Sequence, residues 1–214
     1  MAPQPISKVF PGASLSLTPE LMAERPLVSA KIACCIALWS WIDTQIGSLF
    51  VSMAGPQREE TARQWVEWGS DAKKAAALKT AALTVLSKEE TSLLDRIIII
   101  ANGCKKDRDK LAHGFWGFCP EIDDGLVCID PKFIIKHRAM VLAAIYSGQI
   151  LTSATLRIPD DAQFVWTLSC LETTERKFIS VAGVVNKFTA LVAGTDAQER
   201  ERLRLELNAL VSRM

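Results

Sequence analysis

Apolar side chains recur at spacings of three and four along most of this chain, a periodicity that predicts helices. The richest run lies between Leu27 and Ala54, where Cys35, Trp39, Ile42, Ile46, Leu49 and Met53 form a stripe interrupted by Asp43, Gln45 and serines. Such a run is about long enough to cross a bilayer. A membrane span needs no stripe, however, whereas the central helix of a soluble bundle does. The run is therefore read as a buried core helix closed by Gly55-Pro56, and no membrane association is expected. Residues 57 to 69 repeat the helical pattern with Ala62, Trp65, Val66 and Trp68, and a third segment runs from Ala72 to Leu86. Ser87-Lys88-Glu89-Glu90 is a capping box, in which the Ser and the Glu satisfy each other's orphan amides. It opens a helix whose apolar positions are Leu93, Leu94, Ile97, Ile100, Cys104 and Leu111. Four consecutive isoleucines (Ile97 to Ile100) favour a strand by propensity, but the spacing and the cap outweigh them. Gly114 is the expected stop.

After Gly114 the period changes. Phe115 to Cys119 and Leu126 to Ile129 are two short apolar runs around an Asp-Gly turn, a hairpin signal. Asp130-Pro131 caps another helix, to about Ser147-Gly148. Residues 149 to 163 give no clear pattern. Phe164 to Leu168 reads as a third strand, and Ser169-Cys170-Leu171-Glu172 as a capping box for a helix to about Ala193. Thr195-Asp196-Ala197-Gln198 opens a terminal helix with Leu203, Leu207 and Leu210 on one face. At the other end, residues 1 to 17 carry Pro3, Pro5 and Pro11 and read as an extended, partly ordered arm. Thr18-Pro19-Glu20 is a helix start, and Pro26 a break or restart. The expected architecture is mainly α: one helical domain over residues 18 to 214, with a small antiparallel hairpin.

Composition narrows the chemistry. With 25 basic and 24 acidic residues the formal charge is +1, so no global field draws the chain to nucleic acid or membrane. Any basic function must be local. Six cysteines (Cys34, Cys35, Cys104, Cys119, Cys128, Cys170) lie scattered without a CxxC pair. They read as reduced, buried thiols rather than a zinc site or disulfide framework. Met1-Ala2-Pro3-Gln4-Pro5 has no apolar core of a secretory leader, and a cytoplasmic protein without metal or cofactor is expected.

The densest charge in the chain is Lys105-Lys106-Asp107-Arg108-Asp109-Lys110, followed by Leu111-Ala112-His113-Gly114-Phe115-Trp116. Asp109 and His113 stand four apart and share a helix face, a placement that would orient the imidazole for acid/base work. Arg108 lies five residues before His113, about 140° away around a helix. The two meet only if the helix loosens near Gly114 or a second copy supplies the partner. There is a bland account as well. Cations at a helix C-terminus complement its dipole, and a lone His there is more often a cap or a surface residue.

Arg108-Asp109-Lys110-Leu111-Ala112-His113-Gly114 resembles the Arg-x4–6-His signature of HEPN domains (higher eukaryotes and prokaryotes nucleotide-binding), with Trp116 close behind. The layout over about residues 27 to 150 is also similar, with an acid, Asp43, in the middle of a long early helix. The resemblance implies a helical bundle, commonly a homodimer with two motifs facing across a cleft. Active members are metal-independent ribonucleases of toxin–antitoxin and antiphage systems; others are nucleotide-binding or dimerisation modules. It implies acid/base work for His113, phosphate work for Arg108 and an orienting role for Asp109, with RNA or an antitoxin as partner. Lys105, Lys106 and Lys110 would then supply substrate-binding charge.

Overall fold

The computed structural model describes residues 2–13, 15–17, 19–150, 152, 158–159 and 162–214. The protein is mainly helical with one small antiparallel sheet. In order, the elements are β1 (Gln4–Pro5), α1 (Ile6–Val9), a 3-10 turn (Pro19–Glu24), α2 (Pro26–Ser52), a second 3-10 turn (Gly55–Gln57), α3 (Arg58–Glu67) and α4 (Asp71–Val85). There follow α5 (Lys88–His113), β2 (Phe115–Gly117), β3 (Gly125–Ile129), α6 (Pro131–Tyr146), β4 (Gln163–Thr167), α7 (Leu168–Ala193) and α8 (Ala197–Val211). The chain divides into two compact units, Met1–Ile36 with Lys106–Glu175 and Ala37–Lys105 with Arg176–Met214.

The second unit is helical throughout. Of the stripe read from α2, Trp39, Ile42, Ile46, Leu49 and Met53 are buried in this unit and Cys35 is buried in the first, while Thr44 and Ser48 face water. By length and composition α2 could cross a membrane. Phe50, Trp65 and Trp68 form an aromatic cluster, with ring centroids 5.2, 5.7 and 6.4 Å apart. Gly47 makes it possible: a methyl group there would lie 2.7 Å from Trp65 Nε1. The isoleucine run is helix, with Ile97 facing in and Ile99 out. Its capping box forms as expected: the Ser87 N–H donates to Glu90 Oε2 at 2.9 Å and the Glu90 N–H to Ser87 Oγ at 3.2 Å. Arg200 of α8 completes it by donating to Glu90 Oε1 at 2.6 Å.

The first unit carries the sheet, in the order β1-β4-β3-β2, all pairs antiparallel. The expected hairpin is its β2–β3 pair, with Trp116 opposite Cys128, and the third strand adds alongside β3, with Val127 opposite Val165. All five residues of β3 are buried, which is the signature of a strand covered on both faces. On one face Val127, Ile129 and Val165 pack with Ile6, Cys119 and Ile122. Arg25 stacks its guanidinium 4.7 Å over the Phe118 ring and donates to the Ile122 carbonyl at 2.9 Å, tying the segment before α2 to the loop after β2.

Several sequence expectations shift in detail. The N-terminal arm is built into the sheet: Gln4–Pro5 pairs with β4, and Ser16 bridges to Phe118. Pro5 is tolerated there because an edge strand leaves one side without ladder bonds. Thr18 lies outside the described residues. The segment after it is a 3-10 turn, and of the two roles expected for Pro26 it takes the restart, as the first residue of α2. The start of α7 is held by Thr167, whose hydroxyl accepts the Cys170 N–H at 3.3 Å, two residues earlier than the Ser169 box. Likewise Asp196, not Thr195, caps α8, accepting from the Glu199 N–H at 2.7 Å. On α8, Val211 takes the buried position expected of Leu210.

Burial raises the Glu90 carboxyl's proton affinity, but the Ser87 N–H and the Arg200 guanidinium outweigh it and hold the group below its ordinary 4.5. A depressed carboxyl stabilises the fold above its unfolded pKa and loses that contribution as pH falls through the folded value. Replacing Arg200 by Met leaves a buried charge with fewer partners, so Arg200→Met should cost about 1–3 kcal/mol at pH 7. Urea denaturation should show the gap from wild type closing as pH falls through the depressed folded-state pKa of Glu90, where the carboxyl becomes neutral and no longer needs the guanidinium.

Candidate functional site

The candidate site is the last turn of α5, seated on the sheet in the first unit. Leu111 is buried and anchors this turn from the inner side of the helix. The end of a helix leaves carbonyls short of intrahelical partners, and here side chains of the sheet reach two carbonyls of the last turn. The Trp116 indole N–H donates to the Leu111 carbonyl at 3.2 Å, and the Cys128 thiol lies 3.7 Å from the Lys110 carbonyl. Trp116, which follows the motif in sequence, thus has a structural task. The Gly114 N–H closes the helix on Lys110 at 2.8 Å.

The helix stops at Gly114 as expected, for a different physical reason. Gly114 is not among the described glycines with positive φ, so no left-handed cap is involved. What demands glycine is space: a methyl group would lie 2.2 Å from Cys128 Sγ and 2.5 Å from the Lys110 carbonyl oxygen. The sheet approaches the helix end too closely for any side chain at that position.

Around this terminus the motif residues separate into two kinds. His113 is the final residue of α5 and its imidazole is exposed, as are Lys106 and Lys110. Arg108 is partly enclosed, its side chain 24% exposed, with Nη1 3.2 Å from Asp109 Oδ1. Asp107 and Arg108 each engage further groups. The expected hydrogen bond from His113 to Asp109 is not formed; the carboxylate turns to the guanidinium one residue before it. Arg108 and His113 remain on different sides of α5, as their spacing dictates. Lys105 belongs to the second unit, where its ammonium is paired with Asp71 of α4.

Among the described residues no three His, Cys, Asp or Glu side chains gather into a metal cluster. The thiols offer little chemistry at neutral pH. Burial pushes Cys35 and Cys128 up to about 12, and burial with the neighbouring Glu121 carboxylate pushes Cys119 up to about 11.

One cluster escaped sequence reasoning. Glu175 of α7 receives the Lys31 ammonium at 2.5 Å and the Cys34 thiol at 3.2 Å, both from α2. The ammonium and the thiol hold the Glu175 carboxyl below its usual range, and Glu175 in turn raises Cys34. The three-residue spacing of Lys31 and Cys34 puts them on one helix face, but nothing in sequence points to Glu175, 141 residues on from Cys34. In the second unit, Asp43, the mid-helix acid of the resemblance, lines an open groove of about 610 Å³ with Ser48, Trp65 and Lys74. Lys74 sits 5.0 Å over the Trp65 ring.

No family model, curated protein or solved structure matches this chain.

Two measurements check this geometry. Gly114→Ala should lower stability by about 1–3 kcal/mol, the usual cost of forcing an extra methyl into a packed site, seen as a lower urea midpoint with unchanged slope. With a thiol-specific reagent at pH 8, unfolded protein should release six equivalents, whereas the native fold should react slowly and at Cys34, the one half-buried thiol. Glu175→Gln should speed that reaction severalfold, because the carboxylate that favours the neutral thiol is gone.

Proposed function

We propose that this protein is a HEPN-like ribonuclease that cleaves RNA without a metal ion, at a site completed by a second copy of the chain. The observation that carries this reading is an exposed imidazole at the open end of α5, with Lys106 and Lys110 exposed beside it. A single-stranded RNA backbone can reach all three without displacing packed structure. His113 would take the proton of the 2′-hydroxyl as its oxygen attacks the adjacent phosphorus. The bond from phosphorus to the 5′-oxygen breaks, that oxygen takes up a proton, and the products carry a 2′,3′-cyclic phosphate and a 5′-hydroxyl. Arg108, held by Asp109, is the group suited to the equatorial phosphate oxygens, because a planar guanidinium binds them in pairs. Its position away from His113 on the same helix is why the opposing motif must come from another subunit. Location in the cytoplasm, and restraint by an antitoxin-like protein partner, belong to the same reading.

A second reading draws on the pairing of Arg108 with Asp109 at 3.2 Å and its partial enclosure. In it the motif holds a nucleotide or a subunit contact and cleaves nothing.

Wild type should degrade total RNA in excess EDTA, and His113→Ala should reduce the rate at least a hundredfold, the usual scale of losing an acid/base group. Intact RNA with wild type, or equal cutting by the variant, ends the nuclease reading. Lys106→Ala and Lys110→Ala should each weaken RNA binding and reduce its salt dependence by about one counterion.

A further inference from the structure

Helix α6 carries more apolar side chain than its seat on the sheet uses. Ile134 packs against the sheet core, Val141 is half-buried and Ala144 is buried. These mark the inner face. On the opposite side Ile135 is 67%, Leu142 50% and Tyr146 87% exposed, and Ala139 is exposed between them. The outward residues 135, 139, 142 and 146 are spaced four, three and four. That is the narrow 3.5-residue seam of a helix that pairs with another helix, not the broad stripe of one lying on a sheet. A helix that is apolar on two sides is ordinarily covered on both.

We propose that α6 pairs antiparallel with α6 of a second copy of this chain, through the seam of Ile135, Ala139, Leu142 and Tyr146. The size fits a second copy. Ile135, Leu142, Ile145 and Tyr146 leave on the order of 500 Å² exposed per copy, and with their flanks approach the roughly 800 Å² that a standard interface covers on each side. Charge sets the direction. Residues 131 to 146 include Lys132, Lys136 and Arg138 but no acid, so parallel pairing would set each cation beside its own copy. An antiparallel pair about an axis between Met140 and Val141 instead places Lys136 opposite Ile145 and Arg138 opposite Ala143. The same axis sets Ile135 against Tyr146 of the partner subunit, and Ala139 against Leu142 of the partner subunit, large against small. The register Phe115 to Ile129 holds the start of α6 beside the end of α5, so this interface adjoins the His113 terminus. The inference supplies the subunit contact that the ribonuclease reading needs, and rests on that reading only there.

Sedimentation velocity of the full chain from about 1 to about 100 μM spans the association range of an interface this modest. Wild type should be a dimer in the upper part of that range. Leu142→Glu should weaken association roughly a hundredfold with unchanged far-UV circular dichroism. Ile135→Glu and Tyr146→Lys should each dissociate alone and re-associate when mixed, because only the antiparallel register sets the two altered positions face to face. A wild type that stays monomeric, or a dimer that survives Leu142→Glu and Ile135→Glu, overturns the pairing. Dissociation by the single variants without rescue on mixing overturns the antiparallel register. A monomer that floats with phosphatidylglycerol vesicles overturns it too, and assigns the face to a lipid surface. None of these results changes what the EDTA assay of His113→Ala reads, so the seam and the nuclease can fail separately.

Discussion

The candidate site depends on how closely the sheet approaches the end of α5. Between the Cys128 thiol and the Lys110 carbonyl there is room for a hydrogen atom and no more, and Gly114 is the residue that leaves it. That contact fixes where the helix ends, and so which residue is last. Because the chain turns into β2 at once, His113 is left at the terminus with its ring in water, and Trp116 comes back far enough to take the Leu111 carbonyl. The central strand supplies the other half of the constraint, since it is buried at every position and cannot yield. A single close approach therefore sets the direction, the length and the exposure of the motif.

Much of this was legible in the sequence, and what was not has a common cause. The α2 stripe, the Ser87–Glu90 box, the hairpin around Gly125 and the third strand all rest on local periodicity or on residues within four of one another, and the fold keeps them. The caps of α7 and α8 moved by one or two residues, because several hydroxyl or acid side chains competed and only the backbone decides which oxygen faces the free amides. Glu175 meeting Lys31 and Cys34, Arg25 over Phe118, and β1 on β4 are contacts between distant segments, which no spacing rule encodes. The Asp109–His113 pair was a local expectation that failed for a local reason. The guanidinium of Arg108 is adjacent, carries a full charge, and competes for the same carboxylate.

The six thiols follow the same logic of burial over chemistry. Enclosure raises the proton affinity of Cys35, Cys119 and Cys128, so these side chains serve as small apolar groups with a weak donor. Cys128 uses that donor at the helix end, where a larger residue would push α5 off the sheet. The basic residues divide as well: Lys105 and Arg200 are engaged by carboxylates of their own unit, while Lys106 and Lys110 keep their charge for solvent or a ligand.

The short first strand has a consequence for how the protein behaves in a crowded solution. Open sheet edges are templates for uncontrolled pairing between chains. Here one stretch of chain guards both borders of the sheet: Gln4–Pro5 lies along β4, with proline breaking the ladder, and Ser16 bridges to Phe118 just beyond β2. A chain lacking its first seventeen residues would lose α1 with them and uncover both borders at once. Those residues act as a selvedge, and their loss would leave two open edges for other chains to pair with.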